Sequence, residues 1–293
     1  MLTIAGLGVV VMAVFGGYVL AGGHLSIILA ALPFELLIIG GAGVGIFLMA
    51  NDTTVLKRAV GDVMQTLKGP RWRKEDYTAL LCLLFELVRL ARTDPIALES
   101  HIENPETSEI FGRYPRVCSD SFAIALICDY LRTASMSFDD PHQVNEIMER
   151  DLELHQVEAL RPAQAMQTLT DALPALGIVA AVLGVIKTMA SIDQPPSVLG
   201  KMIGGALVGT FLGVFLSYCL TGPLAARIRT NHEDDHRFYA LIRDVLVAYL
   251  HRHAPSVCVE IGRKNVPGAI RPGFAEVEEA LNGLKVHAAR QAA

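Results

Sequence analysis

The sequence predicts an all-α polytopic membrane protein with four transmembrane helices and a large helical cytoplasmic domain. Three observations carry this. Apolar residues make up 52% of the chain. They gather in four runs close to the roughly 20 residues that a helix needs to cross a bilayer. The stretches between the runs are charged and repeat their apolar residues with helical spacing, and no alternating pattern of useful length marks a strand.

The first span, residues 1–21, has no charged residue. It lacks the basic start of a secretory signal and its apolar run outlasts an ordinary signal core, so it reads as a retained anchor. The second span, residues 34–51, carries Glu35 close to its outer end, where a solvated, interfacial role is expected. Residues 52–170 form the helical cytoplasmic domain. There Glu75–Arg92 is rich in Leu, Thr93-Asp94-Pro95 punctuates it, Cys118–Ala134 is a second helix, and Pro141 opens a third that runs through Leu160. The third and fourth spans, residues 171–191 and 202–225, have no carboxylate at membrane depth. Such helices pack closely but cannot carry a proton unaided, which suggests one wall of an ion path whose ionisable group comes from a partner. In the tail, residues 226–293, Phe238, Leu241, Ile242, Val245, Leu246 and Tyr249 share one face of a helix continuous with the fourth span.

Lys57, Arg58, Lys68, Arg71, Arg73 and Lys74 follow the second span, and Arg227, Arg229, Arg237 and Arg243 follow the fourth. The link Gly22–Pro33 has no Lys or Arg, and the link between the last two spans has only Lys201. The positive-inside bias therefore puts both termini, the middle domain and the tail in the cytoplasm. Cys82, Cys118, Cys128, Cys219 and Cys258 show no CxxC pairing and read as apolar fillers in a reducing compartment. A net charge of −5 does not suggest nucleic-acid binding. No P-loop occurs, so ATP is not the energy source, and no cofactor is expected.

Small residues recur every four positions at Gly205, Gly209, Gly213 and Ser217, at Gly41 and Gly45, and at Ala180 and Gly184. In lipid, such stripes let helix backbones approach, either within the bundle or against a neighbouring subunit. Thr210 either returns its hydroxyl bond to its own backbone or faces a hydrated path. Lys187 snorkels to the outer interface. Pro174 and Pro223 both lie near the cytoplasmic face, as a helix start and a static kink or as paired hinges. His232-Glu-Asp-Asp-His236 matches the HExxH zinc signature. It sits on a charged helix without a shielded third ligand, although His251 and His253 are candidates, so a solvated face is the better reading and no metal site is expected.

The chain resembles the MotA family of bacterial flagellar stator subunits over nearly its whole length. The resemblance rests on Val14-Phe-Gly-Gly-Tyr18, Glu35-Leu-Leu-Ile-Ile-Gly-Gly-Ala-Gly43, Ile102-Glu-Asn-Pro105 with Ser108-Glu-Ile-Phe111, the Leu173–Gly184 stretch, Val208-Gly-Thr-Phe-Leu-Gly213 and Val259-Glu-Ile-Gly-Arg-Lys264. It implies a non-enzymatic, multi-pass protein of the bacterial inner membrane. This protein would form a homo-oligomeric ring, a pentamer, around MotB, whose single span supplies the proton-accepting Asp. Ion flow through the ring would turn the rotor through charged contacts with FliG. The resemblance assigns Pro174, Ala181, Thr210, Tyr218 and Pro223 to the ion path and its gating, and Glu99 and Asp151 to the acidic rotor surface. The basic contact falls on Arg89 or Arg92, and Arg92 is the choice. Sodium-driven relatives place a threonine where Ala181 stands; a methyl group offers sodium no oxygen ligand, so protons are expected. The rival readings are an ExbB/TolQ-like energiser of an envelope partner, a membrane metalloprotease using His232, Glu233 and His236, and a purely structural bundle. The fourth span argues against the first.

Overall fold

The computed structural model describes residues 2–135 and 140–291, and among these it contains helices and no strand. Helix α1 covers residues 2–20, α2 Leu25–Ala50 and α3 Thr53–Lys68. The next are α4 Lys74–Thr93 and α5 Pro95–Glu103, the single turns α6 Glu109–Gly112 and α7 Pro115–Cys118, and α8 Ser121–Ser135. Then come α9 Pro141–Met189, α10 Pro196–Leu250, α11 Pro255–Asn265 and α12 Phe274–Gln291. Helices α1, α2, α9 and α10 each contain a stretch long and apolar enough to cross a membrane.

Local chemistry sets the boundaries. Asp52 starts α3 by accepting the N–H groups of Thr54 and Val55 at 3.0 and 2.9 Å. Asp94 ends α4 and starts α5, accepting the Ala97 N–H at 3.0 Å, with Pro95 in the first helical position. The expected break at Thr93-Asp94-Pro95 is therefore present. The helix expected over Cys118–Ala134 is interrupted, because Asp120 caps a new start by accepting from Phe122 and Ala123 at 2.9 and 3.1 Å.

Two expectations about the spans are corrected. The second membrane-length helix starts at Leu25, nine residues before the expected start at 34, so most of Gly22–Pro33 is helix rather than link. Pro33 read as a boundary, but it lies inside the helix. It denies the Leu29 carbonyl its usual donor, and a π-helical stretch follows at Leu36–Gly40. Glu35 consequently stands ten residues into α2, about 15 Å along it at 1.5 Å per residue. It is buried, with 7% of its surface exposed, and is not a solvated interfacial group. The third expected span has no separate start: α9 runs unbroken from Pro141 to Met189 with Pro174 inside it, so the helix-start reading of Pro174 fails.

The chain divides into two compact units, one made of residues up to 70 with 159–231, the other of residues 71–158 with 232 onward. In the first, Ile39, Leu173, Ala180 and Leu212 form a small core against Leu32, Leu169, Leu176 and Leu216. Phe15 of α1 meets Phe211 and Phe215 of α10 edge-on, at centroid distances of 5.9 and 5.5 Å.

In the second unit α4 is the central element. Tyr77, Leu80, Leu81, Leu83, Leu84, Leu87 and Val88 bury essentially all their surface, on every face of the helix. Each such aliphatic side chain contributes roughly 1.5–3 kcal/mol by leaving water. The expected apolar face of the tail packs here, with Phe238, Leu241, Ile242, Val245 and Leu246 fully buried and Tyr249 partly so. Trp72 stacks on Phe238 at 3.9 Å. Gly262 lets α11 cross α10 closely, since a Cβ there would lie 2.4 Å from Val245 Cγ2.

Candidate functional site

The first unit holds a seam between α9 and α10 built from missing side chains. A Cβ on Gly177 would lie 2.8 Å from the Gly209 carbonyl oxygen. One on Gly184 would lie 2.6 Å from Ala206 Cβ, and one on Gly213 would lie 2.6 Å from the Leu173 carbonyl oxygen. Backbones meet here directly, as small-residue stripes in membrane helices allow. The stripe read from sequence does not act as one surface, however. Gly213 faces α9 and Gly205 faces Ala31 of α2, while Gly209 lies between Glu35 of α2 and Ala180–Ala181 of α9. On α2 the residue in contact is Gly43, against Leu169, while Gly41 and Gly45 meet nothing within 4 Å.

At one end of this seam α10 turns π-helical over Leu216–Thr221, just before Gly222 and Pro223. Pro223 has no N–H for the Cys219 carbonyl, and the Gly222 N–H reaches back five residues to Ser217 instead. Three hydroxyls knit the site. Ser217 Oγ donates to the Thr170 carbonyl at 2.8 Å, and the Thr170 and Thr221 hydroxyl oxygens are 2.9 Å apart. Thr221 Oγ1 also lies 3.1 and 3.2 Å from the Leu216 and Ser217 carbonyls. The two prolines flank this cluster: Pro174 is one turn beyond Thr170, and Gly222, next to Pro223, packs against the Thr170 methyl. Sequence reasoning missed the cluster, although Ser217 and Thr221 at i and i+4 were a signal.

Ala181 lies at the middle of the seam, facing Gly209. A Cβ on Gly209, the neighbour of Thr210 in sequence, would lie 3.2 Å from the Ala181 backbone nitrogen, and both Ala181 and Thr210 are half-buried. Tyr218 is 69% exposed and Pro223 is exposed. Ile178, Val179, Val182, Val185 and Ile186 also leave an apolar face of α9 uncovered in the single chain.

The second unit places Arg92 and Glu99 at the α4–α5 corner, both exposed. The Arg92 guanidinium donates to the His253 carbonyl. Arg89 is half-buried, with its guanidinium 5.9 Å from the Phe85 ring. Asp151 is exposed on α9 and accepts from the Tyr130 hydroxyl at 3.1 Å.

A buried polar network lies in the same unit. Arg71 pairs with Asp120 at 2.7 Å and Asp235 at 3.2 Å, and the Tyr239 hydroxyl donates to Asp120 at 2.7 Å. Burial raises the Asp235 carboxyl, and Arg71 opposes that shift. His155, stacked on Phe122 at 3.6 Å, is lowered by burial, as is His236, with Arg243 and Arg237 adding to the effect. Burial also pushes the Cys82 thiol up to about 11. The HExxH stretch is thus half-buried rather than a solvated face, and its Asp235 is committed to Arg71. Among the described residues no three His, Cys, Asp or Glu side chains converge as a metal site.

Membrane-length helices, a backbone-to-backbone seam and an acid buried inside the bundle define a helical membrane channel subunit. Comparison with known proteins makes this particular. The motility protein A N-terminal family model matches residues 4–95, and that of the MotA/TolQ/ExbB proton channel family matches residues 123–238. Motility protein A of Salmonella typhimurium is 38% identical over 286 residues, covering 97% of this chain and 96% of that one. Chemotaxis protein LafT of Vibrio parahaemolyticus is 38% identical, covering 93% and 95%. A solved structure of C. jejuni MotAB shares the fold, with a TM-score of 0.72 at 20% identity, covering 91% of this chain and 95% of that one. The chain belongs to the motility protein A family, the inner-membrane proton-channel subunits of the flagellar stator.

Proposed function

We propose that copies of this chain form a ring, a pentamer, around a MotB-like partner whose single span supplies an aspartate. In this reading proton flow turns the rotor through contacts with FliG. The observation that carries it is the seam. It brings Gly209, the neighbour of Thr210 in sequence, against the Ala180–Ala181 stretch of α9, which also bears an uncovered apolar face suited to neighbouring helices in a membrane. Ala181 offers a metal cation no oxygen ligand, which favours protons over sodium.

The Lys/Arg distribution supports both termini, the middle domain and the tail facing the cytoplasm. Pro174 and Pro223, beside the hydroxyl cluster, act as hinges that pass movement from the membrane helices to the cytoplasmic part. Tyr218 belongs to the same region. Arg92, Glu99 and Asp151 form the rotor surface. The exposure of Arg92, against the ring-packed Arg89, supports Arg92 as the basic contact. The chain performs no catalysis of its own and binds no nucleic acid.

The test is cytoplasmic acidification in cells that express this chain together with a partner that cannot plug. Acidification should require the partner's span aspartate and should persist when sodium is removed at constant proton-motive force. Acidification that needs sodium would overturn the reading of Ala181.

A further inference from the structure

Glu35 is the unexplained group of the membrane unit. It is more than nine-tenths buried, and among the described residues no donor lies within hydrogen-bond reach of Oε2. That oxygen points at the seam, since a Cβ on Gly209 would stand 2.6 Å from it. The same Cβ would stand 3.1 Å from Ala180 Cβ and 3.2 Å from the Ala181 nitrogen. No side chain separates the carboxyl from the seam, because position 209 is glycine. Glu35 also lines a cavity of about 610 Å³ among α2, α9 and α10, along with Ala31, Phe34, Lys187 and Lys201. A water takes up about 30 Å³ in the liquid, so the cavity has room for a chain of them. Its residues lie toward the end of the bundle where the short turns after α1 and α9 are found.

A buried acid inside a membrane bundle is costly unless it has work to do. We propose that Glu35 is a proton-binding group that this chain itself adds to the conduction path, in series with the partner's aspartate. The proposal rests on the stator reading above. A hydronium in the cavity gives its proton to the Glu35 carboxylate and leaves as water. The carboxylic acid then passes that proton across the Gly209 gap to a water at Ala181 and Thr210, which becomes hydronium and carries it toward the partner, and Glu35 returns to carboxylate. Lys187 and Lys201 favour the carboxylate between transfers and repel metal cations, while protons move along hydrogen-bonded water.

The experiment compares proton leak of the unplugged complex for the wild-type chain, Glu35→Gln and Glu35→Asp, over a range of external pH. Membrane abundance and ring assembly are measured alongside. Glu35→Gln should assemble, leak at least roughly tenfold less, as loss of a positioned acid–base group implies, and lose most of its dependence on external pH. Glu35→Asp should restore part of both. A second measurement needs no variant: dicyclohexylcarbodiimide, an apolar carboxyl reagent, should modify Glu35 in the wild-type complex, as located by mass spectrometry. Wild-type leak and pH profile in an assembled Glu35→Gln complex, or a Glu35 that stays unmodified, would overturn the proposal. Changing the partner's aspartate to asparagine separates the two readings. Leak that this change abolishes but Glu35→Gln does not touch rejects only the role of Glu35, whereas leak that survives it rejects the stator reading.

Discussion

The two units hold themselves together by opposite means. The second unit surrounds α4 with large side chains, in one apolar cluster that includes residues of α10 and α11. The membrane unit has a small core, and its closest contacts are between backbones at Gly177, Gly209 and Gly213. The difference follows from the solvent. In water, apolar area leaving solvent is the main driving force. In lipid an apolar side chain gains little by leaving its surroundings, so close approach and hydrogen bonds between helices must serve. It also follows that the two units should tolerate different mutations.

The largest expected effect is at the seam. Gly177→Val places branched carbon against the Gly209 carbonyl, where neither backbone can yield without separating α9 from α10. Motility should be abolished, with ring assembly lost on native gels. A normally assembled, motile Gly177→Val protein would show that the seam is not needed. The matching change in the other unit is Leu84→Ala. Removing this fully buried side chain should cost about 2–5 kcal/mol and give a protein that swims at low temperature and fails on warming. Limited proteolysis across that range checks it.

A third change separates packing from movement. Pro174→Ala combined with Pro223→Ala restores backbone donors without touching the glycine contacts, so abundance and assembly should stay near wild type. Torque at high load should fall, because straightened helices transmit less bending. Full torque at stall would remove the hinge role.

The smallest expected effect is a pH slope confined to the second unit. His155 and His236 are lowered below their ordinary 6.5, so the unfolded chain binds their protons first as pH falls. Their contribution to stability is complete above the unfolded value and is lost as pH drops through and below it. Thermal unfolding of the purified full chain should therefore shift downward between pH 7.5 and 5.5, and His155→Gln should shrink that shift. Asp235, raised by burial, acts in the reverse sense, and the His155→Gln comparison isolates the histidine part. A melting temperature that rises on acidification would contradict the assignment.

Much of this was legible in the sequence, for reasons that differ between the units. The Phe238–Tyr249 face was readable because water enforces a 3.6-residue period on a half-buried helix. Asp94-Pro95 was readable because a cap and a fixed φ are local chemistry. The start of α2 was not, because Pro33 has the same local signature inside a membrane helix as at a boundary. Glu35 was misplaced with it. The glycine stripes could be found by spacing, but spacing does not say which helix each glycine faces. The assignment of Gly205 to α2 and Gly213 to α9, with Gly209 between the two, depends on how α10 is rotated, which is a property of the packed bundle.

The division of labour between the units is tested most directly by measuring proton flux and stall torque on the same variants. Arg92→Glu with Glu99→Arg changes only exposed charges at the α4–α5 corner, where surface pairs are worth about 0–1 kcal/mol each. Flux through the unplugged complex should stay at the wild-type level while stall torque falls, and compensating charge reversals on the rotor should recover part of it. Flux falling in step with torque, with no recovery from any rotor reversal, would contradict a first unit that conducts and a second unit that transmits.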